Sequence, residues 1–227
     1  MEVIDGEELK ISTPARIFCS GPSGCGKTSL IRDILYHADD IFDQPVRNIV
    51  FCYGSEQPLY EQLRTQFPKE ITFVRGFSSS IADYIYNRKF HDLLIIDDLI
   101  HDASKTDFFM KLHTTLSHHW NCSVITVTQN PYFQSKHMRT CNLQATGLIL
   151  FKTLRGKDQI KRIGQQVFPE KKNFLMNSYN KATDTPFSYL FVDLSVSGNE
   201  MLSMRSNILP HQRTIVFRPD TKQILPT

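Results

Sequence analysis

The sequence predicts an α/β fold in which a mostly parallel central sheet is covered by helices on both faces, and three observations predict it. Apolar runs alternate with segments of helical periodicity along most of the 227 residues, as strand–helix–strand units require. One run, Leu93-Leu94-Ile95-Ile96, is apolar without interruption, which suits a strand buried on both faces. A short strand-like run, Arg16-Ile17-Phe18-Cys19, passes through the glycine-rich stretch Gly21–Thr28 into a helical pattern.

Strands are expected at Ile17–Ser20, Asn48–Tyr53, Ile71–Val74, Leu93–Asp97, Val124–Gln129, Gly147–Phe151 and Tyr189–Val192, where β-branched and aromatic residues cluster. Helices are expected at Lys27–Ala38, Leu59–Gln66, Ser80–Asn87, Thr106–His118 and Lys157–Val167. Apolar residues recur there at three- and four-residue spacing, as in Leu30-Ile31-Ile34-Leu35 and Ile160-Ile163-Val167. Beyond Ser195 the character changes: Ser195–Asn199 is turn-rich, and Pro210, Pro219 and Pro226 punctuate the tail. We expect one domain over residues 1–195 and a β-rich C-terminal arm or hairpin over 196–227, packed on the same domain or on a neighbouring subunit.

Composition limits the partners. Net charge is +3, so any nucleic-acid contact comes from a local patch or from subunits pooling basic residues. Candidates on expected loops and helix ends are Lys69, Arg75, Arg88, Lys89, Lys105, Lys136, Arg139, Lys171 and Lys172. Five widely spaced cysteines, without a C-x-x-C pair, read as reduced thiols in an intracellular protein. The opening carries Glu2, Asp5, Glu7 and Glu8, which predicts no signal peptide. No apolar run reaches the length of a membrane span.

Three motifs carry chemistry. Gly21-Pro22-Ser23-Gly24-Cys25-Gly26-Lys27-Thr28 fits G-x-x-x-x-G-K-[ST], the phosphate-binding loop, in the strand–loop–helix setting that pattern needs. Its glycines let consecutive N–H groups point inward and form a concave anion site, completed by the helix N-terminus at Lys27, Thr28 and Ser29. Lys27 is placed to reach the β- and γ-phosphates of ATP and Thr28 to put its hydroxyl on Mg²⁺. The second motif, Leu93–Asp98, ends a buried strand in two carboxylates. Asp97 is the natural Mg²⁺ partner, and Asp98 is placed to orient or deprotonate water. The third, Val124-Ile125-Thr126-Val127-Thr128-Gln129-Asn130-Pro131, puts Gln129 at another strand end. There it either holds the attacking water or caps the strand. His113, His118, His119 and Cys122 cluster within ten residues, but adjacent histidines on a helix diverge by about 100°, a poor start for four converging ligands. Cys25 reads as a small filler residue within the loop.

These elements, in this order and spacing, resemble the FtsK–HerA superfamily of P-loop ATPases, whose third strand ends in T-Q-x-P. The longer match is similar to the genome-packaging ATPases of Maverick/Polinton elements and adintoviruses, relatives of the poxvirus packaging ATPase. It rests on Phe51-Cys52-Tyr53-Gly54 with Gln57-Pro58-Leu59-Tyr60, on Phe73-Val74-Arg75-Gly76, and on Leu94–Leu99. It continues through Ser117-His118-His119, Arg139-Thr140, Phe151-Lys152 with Arg155, Gln165–Pro169 and Tyr189–Leu194. Two positions depart from the pattern: Asp98 stands where FtsK and HerA proteins usually carry Glu, and Thr153–Asp158 stands where the packaging branch more often has Asn-Pro-Arg-Asp.

The resemblance implies a three-layer P-loop NTPase of the RecA/ASCE-like kind. It further implies a homo-oligomeric ring, pentamer or hexamer, that binds ATP and Mg²⁺ at subunit interfaces. Such a ring threads double-stranded DNA into a capsid and contacts vertex or portal proteins, in the host nucleus, at a viral assembly site or in association with the virion. A neighbour's arginine would complete each site, with Arg155 favoured over Arg139 and Arg162. Two other classes stay open. A nucleotide-kinase-like phosphotransferase could use Arg155, Lys157, Lys161 and Arg162 as a lid, and an ATP-dependent assembly switch would dispense with Asp98, Gln129 and the arginine.

Overall fold

The computed structural model describes residues 2–4, 9–67, 69–85, 90–130, 136–171, 173–195 and 200–218. In chain order the strands are β1 Glu2–Ile4, β2 Arg16–Ser20, β3 Val46–Tyr53, β4 Ile71–Arg75, β5 His91–Asp97, β6 Cys122–Thr128, β7 Gly147–Phe151, β8 Tyr189–Asp193, β9 Met204–Ser206 and β10 Thr214–Phe217. The helices are α1 Lys27–Tyr36, α2 Ala38–Ile41, α3 Pro58–Gln66, α4 Ile100–Ala103, α5 Asp107–Lys111, α6 Ser117–His119, α7 Lys136–Leu143, α8 Lys157–Val167 and α9 Phe174–Ala182.

Among the described residues these strands form one sheet of order β1-β10-β9-β8-β7-β2-β6-β5-β3-β4. The six from β7 to β4 pair in parallel. The remaining four extend one side antiparallel, so β9 and β10 at the C-terminal end continue the same sheet. This is the expected α/β architecture with a mostly parallel core. β6 is inserted between β2, which leads into the glycine loop, and β5, which ends in Asp97.

Strand alternation sorts the core into two layers. Leu93, Ile95, Ile17, Cys19, Ile49 and Phe51 face α1, α2 and α3, whose Leu30, Ile31, Ile34, Ile41 and Tyr60 pack onto them. Leu94, Ile96, Phe18, Val50 and Val124 face the other way, onto Phe109 and Leu112, Met138, Ile160 and Ile163, and Leu175 and Tyr179. Every residue of β5 and β6 is buried, which is why Leu93–Ile96 can be apolar on both faces.

The structure adjusts several sequence expectations. The first helix stops at Tyr36 and restarts at Ala38 around His37, whose ψ of 21° departs from helical values. Ser79–Tyr84 is a 3₁₀ turn in place of an α-helix, and Asn87 lies outside the described residues. The helix expected over Thr106–His118 contains a π-helical turn, Leu112–Leu116. That widened turn holds His113 fully buried, stacked on Phe18 at 4.9 Å and hydrogen-bonded to Thr126 Oγ1 at 3.2 Å. Helices α7 and α9 escape the sequence reading because Asn, Ser, Thr and Tyr are indifferent helix formers. α9 forms because it buries Leu175, Tyr179 and Ala182. No described helix is long and apolar enough to cross a membrane.

One buried carboxyl makes stability depend on pH. Asp92, at the amino end of β5, is 1% exposed, and neither of its oxygens has a hydrogen-bond partner among the described residues. Asn48, its neighbour across the ladder, donates to Tyr84 O and only partly offsets the cost of burying the carboxyl. Desolvation raises the Asp92 pKa from 3.8 to about 6. The folded state therefore holds this proton more tightly than the unfolded chain, and stability is lost as pH rises from 3.8 through about 6. Asp92→Asn is expected to raise the urea midpoint at pH 8 and leave it unchanged at pH 4; an equal shift at both pH values would contradict the assignment.

Candidate functional site

The register of the parallel strands brings their carboxyl ends to one edge. Ser20 of β2 lies opposite Thr128 of β6, Val127 of β6 opposite Asp97 of β5, and Asp97 opposite Tyr53 of β3. Chain leaving each strand therefore meets chain leaving its neighbours, as in the binding crevice of open α/β sheets. Gly21 N–H donates to Thr128 O at 3.2 Å, which fastens the glycine loop to the end of β6.

Glycine is required at two points of that loop. Gly26 has φ +101°, in the left-handed region that side chains disfavour. A Cβ at Gly21 would come within 2.6 Å of Phe151 Cβ and 2.7 Å of Cys25 Sγ, so only glycine lets the loop lie on β7. α1 begins directly after Gly26 without a side-chain cap, which leaves its first N–H groups to face an anion. Lys27 Nζ donates to Gly21 O at 2.7 Å and Pro22 O at 2.9 Å. Two of its three donors are thereby fixed across the loop mouth.

The opposite wall carries the acids. Asp97 is 3% exposed and accepts a 2.8 Å hydrogen bond from the buried Tyr60 hydroxyl. Burial raises its pKa; the Tyr60 hydrogen bond opposes the rise, Asp98's charge adds to it and Lys27 opposes it. Asp98 is exposed with φ +55°, a strained geometry of the kind found at functional sites. Gly54 accommodates it, since a Cβ there would stand 2.9 Å from Asp98 O.

One cavity of about 670 Å³ joins the two walls. Ser23, Gly24, Gly26, Lys27, Thr28 and Ser29 line it on the loop side, and Asp97, Asp98 and Gln129 on the acid side. Of the other loop residues, Gly21 is buried behind the wall, Pro22 is exposed at the rim, and Cys25 is partly buried, with burial raising its thiol pKa. Thr28 and the buried Asp97 carboxylate both present hard oxygen donors to the cavity, a donor set that fits Mg²⁺. Arg155, Arg139 and Arg162 are exposed and lie off the cavity wall. Arg155 sits in a turn held from α9 by Tyr179, whose hydroxyl accepts from Thr153 N–H at 2.8 Å and donates to Phe151 O at 3.0 Å. Arg139 lies on helix α7, where the sequence reading expects a loop.

Other expected groups disperse. His113 and Cys122 are buried in the core while His118 and His119 are exposed. Burial pushes the His113 pKa down to about 3, so this ring is neutral. Among the basic residues offered for DNA, Lys69 pairs with Asp39 at 2.7 Å and Lys171 with Glu200 at 2.6 Å. Lys105 Nζ lies 3.6 Å from Asp102. Arg88, Lys89, Lys172 and Pro131 lie outside the described residues, as does the Lys136 side chain.

Sequence reasoning did not assign Tyr60, Gln57, Phe187, Tyr189, Leu209 or Gln212 to the site, yet all but Tyr60 line the cavity. Gln57 and Tyr60 stand inside the quoted Gln57-Pro58-Leu59-Tyr60 run and could have been found there. Tyr189 opens the quoted Tyr189–Leu194 run, whereas Phe187, Leu209 and Gln212, more than 150 residues after the loop, have no local pattern to mark them.

No protein-family model matches the sequence, and no curated protein matches it. Solved structures do match in fold. B204, the DNA-packaging ATPase from Sulfolobus turreted icosahedral virus, aligns with a TM-score of 0.55 and 14% identity over 92% of this chain and 99% of that one. The genome packaging NTPase B204 from Sulfolobus turreted icosahedral virus 2 in complex with ATP-gammaS aligns at 0.51 and 14% over 90% and 97%. Its AMPPCP complex aligns at 0.51 and 14% over 91% and 98%. The chain therefore has the fold of a P-loop NTPase along nearly its whole length.

Tyr60 gives the geometry a direct check. Tyr60→Phe keeps the packing on Phe51 and Phe73 but removes the donor to Asp97. It should cost about 1–3 kcal/mol at pH 7, because a buried acceptor loses its partner. Chemical denaturation measures this, and an unchanged stability would mean that the hydrogen bond contributes nothing.

Proposed function

We propose that this chain is an ATPase that packages DNA, hydrolysing ATP to move double-stranded DNA into a capsid. The observation that carries the proposal is the single cavity in which Lys27 and Thr28 face Asp97, Asp98 and Gln129. The near-complete alignment with two viral packaging ATPases supports the finer reading. In it the loop N–H groups and Lys27 hold the β- and γ-phosphates. Asp98, exposed to the cavity on a strained backbone, accepts a proton from water, and Gln129 orients that water. Thr28 and Asp97 would hold Mg²⁺, which neutralises phosphate charge where it binds.

The arginine of this mechanism comes from a second copy in a ring. Arg155 is the favoured candidate, and Leu154 beside it is 79% exposed, an apolar neighbour suited to a subunit contact. The four-strand antiparallel extension, β8 to β10 with β1, adds surface for a neighbour or a capsid vertex protein.

Hydrolysis of ATP by the full chain with Mg²⁺, with and without double-stranded DNA, tests the proposal. DNA is expected to stimulate turnover. Lys27→Ala should abolish nucleotide binding. Asp98→Asn should bind normally and lose about 10²-fold or more in turnover. Arg155→Ala subunits should regain activity when mixed with Lys27→Ala subunits. Phosphate transfer to a nucleoside monophosphate, or full turnover by Asp98→Asn, would overturn it.

A further inference from the structure

The cavity continues past the phosphate loop in the direction away from the acids. β6 and β5 lie on one side of β2, and β7 and β8 on the other. A polyphosphate laid along the loop with its terminal group toward Asp98 and Gln129 has its other end directed toward β8. That end is lined by Leu30 and Asp33 of α1, Phe187 and Tyr189 at the start of β8, and Leu209 and Gln212 from the β9–β10 connection.

These residues differ in kind from the rest of the wall. Tyr189 and Leu209 are buried and make an apolar floor. Phe187 is 71% exposed with φ +63°, an uncommon backbone geometry for a bulky residue. Its ring edge lies 3.3 Å from where a Cβ on Gly26 would stand, so an open aromatic face abuts the loop. Gln212 is held by a turn, its N–H donating to Leu209 O at 2.9 Å. Its carboxamide Oε1 is buried without a hydrogen-bond partner among the described residues, an unmet acceptor that a ligand donor would satisfy once the Gln212 side chain, which lines the cavity, turns toward it.

We infer that Phe187 and Gln212 form a base subsite selective for adenine, on the reading that the loop binds a nucleotide. Phe187 stacks on the base. Gln212 Oε1 accepts from the exocyclic amino group of adenine, and the same amide donates to the neighbouring ring nitrogen, the bidentate pairing that Gln makes with adenine. Guanine and hypoxanthine present a carbonyl where adenine presents its amino group, so the amide oxygen would meet an acceptor. The C-terminal strand pair thus sets which nucleoside the N-terminal loop receives.

Calorimetric titration of the full chain with ADP, IDP, GDP and inorganic pyrophosphate tests this without turnover. ADP should bind about tenfold more tightly than IDP or GDP, the scale of one good base contact. Gln212→Ala should bring ADP to the IDP value with pyrophosphate affinity unchanged. Phe187→Ala should weaken all three nucleotides about equally. Gln212→Glu, which keeps the side chain's size, should prefer GDP, because a carboxylate accepts from the guanine N1–H and 2-amino groups. Equal wild-type affinities for the three nucleotides, or an ADP preference that survives Gln212→Ala, overturns the subsite while pyrophosphate binding upholds the loop. Absence of pyrophosphate and nucleotide binding overturns the nucleotide-binding reading and this inference together.

Discussion

The alignment of parallel strands at their carboxyl ends is the constraint on which the rest of this molecule depends. The ladders Ser20–Thr128, Val127–Asp97 and Asp97–Tyr53 place four chain exits at one level. A one-residue slip in any of them would turn its side chains to the other face. It would exchange Leu93 and Ile95 with Leu94 and Ile96 between the two core layers. Burial of β5 and β6 along their full length therefore fixes the register, and the register fixes the distance from loop to acids. The functional groups occupy a position that the hydrophobic core has already determined.

That edge is also where the fold is least comfortable. Asp97 is a buried carboxylate, held by one tyrosine hydroxyl and opposed by the charge of Asp98. Asp98 and Phe187 have left-handed backbone angles, and Gly21 and Gly54 tolerate no side chain against their neighbours. Gln212 carries an unmet buried acceptor. Asp98, Phe187 and Gln212 all line that one cavity, where binding would offset these costs, which persist where function maintains them. Away from the cavity, buried Arg205 pairs with Asp193 at 2.7 Å and donates to Leu9 O at 2.6 Å, whereas Asp92 keeps both oxygens unpartnered among the described residues.

How much of this was legible in the sequence follows from range. Gly21–Thr28, Asp97-Asp98 and Gln129 each sit in a local pattern whose chemistry can be read without coordinates, and the sheet order brings those patterns together. The seven strands of the apolar pattern, from β2 to β8, were legible for the same reason. β1, β9 and β10 are three or four residues long, too short for periodicity to mark. α7 and α9 exist through tertiary burial that outweighs modest propensity. Phe187 and Gln212 reach the loop only because β8, β9 and β10 fold back beside β7, a long-range fact with no local trace. The three arginines stay off the cavity within one chain.

The central claim is that the acids and Gln129 direct water at a terminal phosphate held by the loop. The most direct measurement is hydrolysis of ATP by the full chain in ¹⁸O-labelled water, followed by mass analysis of the products. The account predicts one labelled oxygen in the released inorganic phosphate and none in ADP. Label retained in ADP, or a γ-phosphoryl group found on an acceptor other than water, would contradict it.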